Sequence, residues 1–245
     1  MQKTMTAALV MASLSTAAIA SEDMHTKDPR NAGQKVGLEV QHNGDLKLIG
    51  GGGATNWYAG SDNQLVYQAE YELDSEYARV RGANFDSRFG GLYVDIISIA
   101  DASVMSTVGF MLPITADNGK TLFFPSINYS YVAHDKKALR GVPDEIGGGN
   151  ASHLSSLNLY ILHPWNETHF SFIEMVGGKS FSGVEMEMYD VVWTQGMNSN
   201  ILGQPAMVYF KGQYSRTEVY GQFTGAKGSL NSDEAKFSFG FELKF

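Results

Sequence analysis

The sequence contains no cysteine among its 245 residues. Disulfide bonds, zinc thiolate sites, cysteine nucleophiles and redox pairs are therefore excluded, and the fold has to be stable without covalent cross-links. Basic side chains are also in the minority, since 18 lysines and arginines face 26 acidic residues and the formal net charge is −8. This balance argues against a nucleic-acid partner, because phosphate backbones are bound by clustered positive charge.

Long hydrophobic runs are missing as well. A membrane-spanning helix needs about 20 apolar residues, and the chain after residue 20 contains no run of that length. Because unpaired backbone groups are costly in hydrocarbon, a chain without such helices can cross a bilayer only as a closed barrel of strands. The sequence shows no composition shift that would divide it, so we predict one domain.

Residues 1–20 have the features of a secretory signal peptide. Lys3 lies near the start, an apolar stretch follows, and Ala18-Ile19-Ala20 has the small-x-small pattern that precedes cleavage. Removal of this segment changes the formal net charge from −8 to −9, because Lys3 is its one charged side chain. We expect a flexible periplasmic leader over residues 21–33 and a single barrel domain over residues 34–245.

The last ten residues, Lys236–Phe245, alternate strictly between two kinds of side chain. Apolar residues from Phe237 to Phe245 alternate with Ser238, Gly240, Glu242 and Lys244. Successive side chains of a strand point to opposite faces, so this segment predicts a strand with one apolar and one polar face. Its length is that of a tilted strand crossing a bilayer.

With its terminal phenylalanine, this strand resembles the last strand of Gram-negative outer-membrane β-barrel proteins. The resemblance implies an assembly signal made of Phe241, Leu243 and Phe245, which the barrel assembly machinery would bind. It also implies an outer-membrane location, with lipid and lipopolysaccharide as surroundings. Lys136, Lys137 and Arg140 in the long polar connection 134–152 are candidates to pair with lipopolysaccharide phosphates.

The same two-residue period recurs upstream, most clearly in residues 65–74 and 121–133. A water-soluble β-sandwich would also alternate, but here long charged side chains share one face over several strands while aromatic residues occupy the other. We therefore predict an all-β fold, an antiparallel transmembrane β-barrel. Turn signals, which include Asn43-Gly44, Asn118-Gly119, Gly177-Gly178-Lys179 and Ser215-Arg216, divide the chain into about 13 segments. Since single-chain bacterial barrels have even strand numbers, we expect 12 strands, with ten as the alternative. The doubtful elements are the first hairpin, Val36–Gly50, and the region Phe181–Trp193, where the apolar parity slips.

The polar face of these strands predicts a set of side chains that point into the barrel. The pore-lining candidates are Glu70, Glu72, Arg79, Arg81, Ser126, Asn128, Ser130, Glu185, Glu187, Glu242 and Lys244. In one interpretation they form the wall of a passive channel for small hydrophilic solutes, which selects by charge. In the other, acids and bases neutralise each other in a closed lumen, and the protein acts through its surface loops as an adhesin, receptor or envelope-structural protein.

Enzymatic and metal-binding functions have weaker support in the sequence. Glu185 and Glu187 share one strand face, but a cation site needs three or more converging oxygens, so neither a metal nor a cofactor is predicted. The sequence His153-Leu154-Ser155 resembles the His-x-Ser element of outer-membrane lipid A deacylases, with Glu167 as the acidic partner. This chain has Ser156 where those enzymes have asparagine, and a strand of about 12 residues would hold Ser155 and Glu167 too far apart to meet.

Overall fold

The computed structural model describes residues 28–56, 63–86, 88–100, 102–135, 151–223 and 226–245, and for residues 221–231 the backbone alone. No helix long and apolar enough to span a membrane is found in these ranges. The strands are β1 (Lys35–Gln41), β2 (Leu46–Thr55), β3 (Asn63–Glu72), β4 (Tyr77–Asp86), β5 (Gly90–Ile99), β6 (Ser103–Met111), β7 (Ile114–Thr115), β8 (Leu122–His134), β9 (Ala151–Pro164), β10 (His169–Gly183), β11 (Met186–Ile201), β12 (Gln204–Phe223) and β13 (Ala226–Lys244).

Twelve of these strands form a closed antiparallel barrel. Each strand pairs with its neighbour in sequence, β1 pairs with β13, and β6 pairs directly with β8. The remaining strand, β7, is a two-residue element that pairs with the start of β8 beside the β6–β8 connection. The predicted fold class and the predicted number of 12 strands are confirmed.

The first hairpin, which the sequence left in doubt, is present as β1 and β2. The turn predicted at Ser215-Arg216 is the one that has to be removed, because these residues lie inside β12. They pair on one side with Asp190 and Tyr189 of β11 and on the other side with Glu234 and Asp233 of β13. The predicted turn at Gly177–Lys179 is also wrong, because these residues belong to β10 and pair with both β9 and β11. Gly178 serves close packing there, since a Cβ on it would lie 3.0 Å from the Cβ of Ser156.

We name the two ends of the barrel from its first and last strands. The terminal end is the end at which β1 begins and β13 ends, where Lys35 and Lys244 lie directly opposite each other. The opposite end is the far end. The far end carries the connections β1–β2, β3–β4, β5–β6, β8–β9, β10–β11 and β12–β13. The long connection predicted over residues 134–152 therefore belongs to the far end, although most of it lies outside the described residues.

The two faces of the barrel wall differ as alternation requires. On β13, Phe239 is 66% exposed on the outer face, while its neighbour Ser238 is 4% exposed on the inner face. The outer face continues with Leu157 at 64% and Ile127 at 73%. Apolar side chains of this size, exposed over neighbouring strands, form the belt that a hydrocarbon layer would cover.

The terminal half of the lumen contains an apolar core. Phe124, Leu162, Phe170 and Met207 all point inward and are completely buried. Room for the large rings comes from glycines on neighbouring strands. A Cβ on Gly240 would lie 2.4 Å from the ring of Tyr209, so the glycine is required for the ring to lie across β13.

Candidate functional site

A network of ion pairs lines the inner wall of β1, β2, β3 and β12. Glu39 accepts hydrogen bonds from Lys211 Nζ at 2.6 Å and from the Tyr209 hydroxyl at 3.1 Å. Lys47 lies 2.8 Å from Glu72, 3.5 Å from Glu70 and 3.8 Å from Glu39. Each charge of this network has an opposite partner, which offsets the cost of removing it from bulk water.

A second group of polar contacts lies on β4, β5 and β9. Arg79 holds both carboxylate oxygens of Asp95, with Nη2 2.7 Å from Oδ2. Tyr93 donates to the same carboxylate at 2.8 Å, so at the 3.0 Å contact between the two tyrosine hydroxyls Tyr160 is the donor. The two hydroxyls join β5 to β9, which are separated in the wall by β6 and β8.

One ion pair spans the lumen. Arg81 Nη1 on β4 lies 2.8 Å from Glu174 Oε2 on β10, although these strands are not neighbours in the barrel. The other terminal nitrogen of Arg81, Nη2, lies 3.3 Å from Glu70. We call the Arg81–Glu174 pair the crosspiece, because it connects two sides of the wall through the interior.

The crosspiece lies between two cavities. The far cavity has a volume of about 370 Å³ and is lined by the ion-pair network of β1–β3 and β12, and by Ser75 at the far end. The terminal chamber has a volume of about 110 Å³ and is lined by apolar side chains such as Phe85 and Met111. Gln68, Arg81 and Glu174 line both cavities, so the crosspiece is where the two spaces meet.

Residues 28–33 pack into the terminal end of the barrel, and we call them the mouth segment. Asp28 and Ala32 are buried, and Arg30 lies over the ring of Phe124 while its side chain pairs with Asp28. A Cβ on Gly53 would lie 2.9 Å from the Cβ of Ala32, so glycine on β2 leaves room for the segment. Of the predicted flexible leader, residues 21–33, the structure describes only this packed part.

Most predicted pore-lining residues lie on the inner face of the wall. Those that line a cavity are Glu70, Glu72, Arg79, Arg81, Glu242 and Lys244. Three others, Ser126, Asn128 and Ser130, also point inward, but they are almost completely buried and line neither cavity.

The prediction that Glu185 and Glu187 line the lumen is wrong. Glu185 is exposed in the β10–β11 turn, and Glu187 lies on the outer face, where it pairs with the exposed Lys179. The inward residues of this strand are Met186 and its even-numbered successors, and Met186 is 5% exposed in a small core with Val132 and Leu154. The predicted orientation of this segment, with the glutamates inside and Met186 outside, is therefore the reverse of the observed one.

Several residues of the charged interior were missed by the sequence analysis. They are Glu39, Lys47, Asp95, Glu174 and Lys211. Glu39 and Lys47 lie in the first hairpin, β1–β2. Their alternation with Leu38, Val40 and Leu46 is a sequence signal that could have placed both charges on the inner face. Glu174 is one acid in an otherwise apolar segment, and nothing local indicates its distant partner.

The residues of the deacylase resemblance are not assembled into a catalytic group. His153 and Ser155 lie on the outer face of β9, and the contact of His153 Nδ1 is with the Tyr129 hydroxyl, at 2.7 Å. Glu167 lies in the turn after Pro164, at the terminal end, whereas Ser155 belongs to the far half of β9. The described residues also contain no group of three or more His, Asp or Glu side chains that could hold a metal ion.

Comparison with known proteins supports the architecture. No protein-family model matches the chain, and no curated protein matches it in sequence. Among solved structures, the chain is similar to one described as "NanC porin structure in rhombohedral crystal form", with a TM-score of 0.53 at 8% sequence identity. The match covers 86% of this chain and 100% of that chain. At this identity the likeness shows a common barrel fold.

Proposed function

We propose that the protein is an outer-membrane channel of the porin type, which admits small hydrophilic solutes. The observation that carries this proposal is the pair of cavities inside the barrel that meet at the crosspiece. The terminal end, where β1 begins and β13 ends, then faces the periplasm, as in single-chain bacterial barrels. The far cavity is then the entrance from outside.

The electrostatics of the lumen support a narrow and polar route. Acidic and basic side chains alternate along the far cavity, from Lys236 and Glu72 down to Lys47 and Glu39. The crosspiece crosses the route where the two cavities meet, and Arg81 and Glu174 project there from different sides of the wall. A solute passing here exchanges water for contacts with both charges.

Location and assembly belong to the same proposal. Phe241 and Leu243 lie on the outer face of β13 near its end, and Phe245 follows directly after the strand. In this proposal the three residues are the signal that the assembly machinery binds at the periplasmic end. Lipid would cover the apolar belt, and lipopolysaccharide would surround the far end. Purified protein that migrates differently on a detergent gel before and after boiling would support the barrel in solution, and unchanged mobility would count against it.

Conductance in planar lipid bilayers tests the channel. The wild-type protein should produce discrete current steps, and the Arg81→Ala/Glu174→Ala variant should produce larger ones, because two long side chains leave the constriction. Glu187→Gln is the matched control, since it removes one charge of an ion pair on the outer face, and its conductance should equal that of the wild type. An absence of steps at saturating protein would refute the channel.

A second candidate is a non-conducting barrel that acts through its far-end loops. The fully buried side chains of Phe124, Leu162, Phe170 and Met207 favour it, because they fill part of the terminal half of the lumen. The bilayer experiment separates the two functions. Folded protein that conducts neither as wild type nor as the Arg81→Ala/Glu174→Ala variant would support this second function.

A further inference from the structure

The terminal chamber lies between the crosspiece and the mouth segment. Arg81, Glu174 and Gln68 lie where it meets the far cavity, and Asp28, Asn31 and Gly33 of the mouth segment line its periplasmic side. A space of about 110 Å³ between a constriction and a packed segment holds a small molecule. It is a compartment within the proposed route, with its own lining chemistry.

The chamber walls carry apolar surface beside their charged and polar groups. Val66, Phe85, Met111 and Phe172 contribute hydrocarbon surface, and Phe85 and Met111 are nearly completely buried. Ligand sites combine such walls with a few charged or polar groups that orient the ligand. The walls therefore favour a solute that has an apolar body.

The charged groups that line the chamber are Asp28, Lys35, Arg81, Glu174 and Lys244. Asp28 is neutralised by Arg30, Lys35 lies 3.1 Å from Glu242, and Arg81 pairs with Glu174. The ion pairs of the described residues include none with Lys244. One positive charge therefore remains without a matching carboxylate within 4.0 Å.

The position of Lys244 makes this charge available to a solute. Lys244 lies directly opposite Lys35 in the β1–β13 register, and both side chains point inward. Directly opposed like charges are unfavourable, and Glu242 on the same face offers one carboxylate for two ammonium groups. An anion in the chamber would relieve this imbalance.

We propose that the terminal chamber binds small organic monocarboxylates, with the carboxylate at Lys244 and the apolar body against Phe85, Met111 and Phe172. As a statement about transport, this inference rests on the proposed channel, because it names the solute class of the same lumen. As a statement about binding, it is independent of conduction. A neutral sugar or an organic cation has no negative charge to balance that of Lys244.

Calorimetric titration of the refolded full-length protein in detergent tests the binding, with protein-free micelles as the blank. The probes are 4-methylpentanoate, the amine 3-methylbutylamine with a similar hydrocarbon body, and the shorter acids butyrate and acetate. We expect binding of the acid and none of the amine. Affinity should fall by about fourfold for each methylene removed, the value of one buried CH₂ group.

Two variants locate the site. Lys244→Gln should weaken 4-methylpentanoate binding at least tenfold, whereas Lys120→Gln removes a lysine from an exposed turn at the same end and should leave it unchanged. Heat-modifiable migration on a detergent gel shows that each variant is folded. Equal affinities for acid and amine, equal affinities for acetate and 4-methylpentanoate, no binding to folded wild type, or full binding by Lys244→Gln would each overturn the proposal.

The result is separable from that of the bilayer experiment. Binding without conductance would keep the carboxylate site and remove the channel. Conductance without binding would keep the channel and remove the carboxylate site.

Discussion

The crosspiece provides a quantitative test of how the lumen is held together. Its two charges project from β4 and β10, and the Nη1–Oε2 distance is 2.8 Å. Opposite charges about 4 Å apart attract by about 4 kcal/mol at an effective dielectric constant of ~20. Desolvation opposes this attraction, and Arg81 keeps a second carboxylate, Glu70, when Glu174 is lost. We therefore expect a coupling free energy of about 1–2 kcal/mol between Arg81 and Glu174.

A double-mutant cycle measures this coupling. The variants are Arg81→Gln, Glu174→Gln and the combination, and the free energy of unfolding is obtained from urea titrations of refolded protein in detergent, followed by tryptophan fluorescence. The matched cycle uses Lys179 and Glu187 on the outer face, where the lysine side chain is 62% exposed. Exposed pairs of this kind couple by less than about 1 kcal/mol.

The comparison between the two cycles shows whether the buried charge pair stabilises the barrel more than an exposed pair does. If the crosspiece couples more strongly than the outer pair, the buried charges of the lumen contribute to holding distant strands together. Equal coupling of both pairs would refute the reasoning, because it would mean that water screens the crosspiece as fully as the surface. The wall would then be held by its backbone ladder and apolar contacts alone.

Two further predictions concern stability. Gly240→Ala should lower the free energy of unfolding by about 1–3 kcal/mol, because the new Cβ would lie 2.4 Å from the Tyr209 ring. In a Tyr209→Leu background, the same substitution should lower the free energy of unfolding much less in the same urea titrations. An equal loss in both backgrounds would contradict the steric explanation. Although burial by itself raises the pKa of Asp45, hydrogen bonds from the backbone amides of Asp74 and Ser75 lower that pKa below its ordinary value. The stabilisation is therefore present above the ordinary carboxyl pKa and is lost as the pH falls through the lowered value. Asp45→Asn should be less stable than the wild type by about 1 kcal/mol at neutral pH and nearly as stable in acid. A stability difference that is constant with pH would contradict this assignment.

Much of the wall could be predicted because alternation is a local property. In Lys236–Phe245 each residue's side follows from its neighbours two positions away, and the structure exposes Phe239 while it buries Ser238 and Glu242. The same rule placed Glu70, Arg79 and Arg81 on the inner face. For residues 184–188 the alternation holds, but the inner face was predicted wrongly, because Met186 packs into a small apolar core inside the barrel while Glu187 points outward.

Turn positions were predictable only where the backbone requires special residues. Asn43-Gly44 and Asn118-Gly119 are turns in which the glycine has a positive φ. Ser215-Arg216 has no such requirement, and the pairing of β12 with both neighbours carries the strand through it. Small polar residues are compatible with a turn, but the ladder decides whether one forms.

The candidate site depends on contacts that no local pattern contains. The sequence by itself determined that strands with one charged and one apolar face would be formed, that the last residues of the chain would belong to such a strand, and that the lumen would carry both signs of charge. Only the tertiary structure decided that Arg81 meets Glu174 through the interior, that the mouth segment packs beside Gly53, and that Lys244 faces Lys35. The physical reason is that alternation determines the direction of each side chain, whereas barrel closure and strand register determine which side chains meet across the lumen.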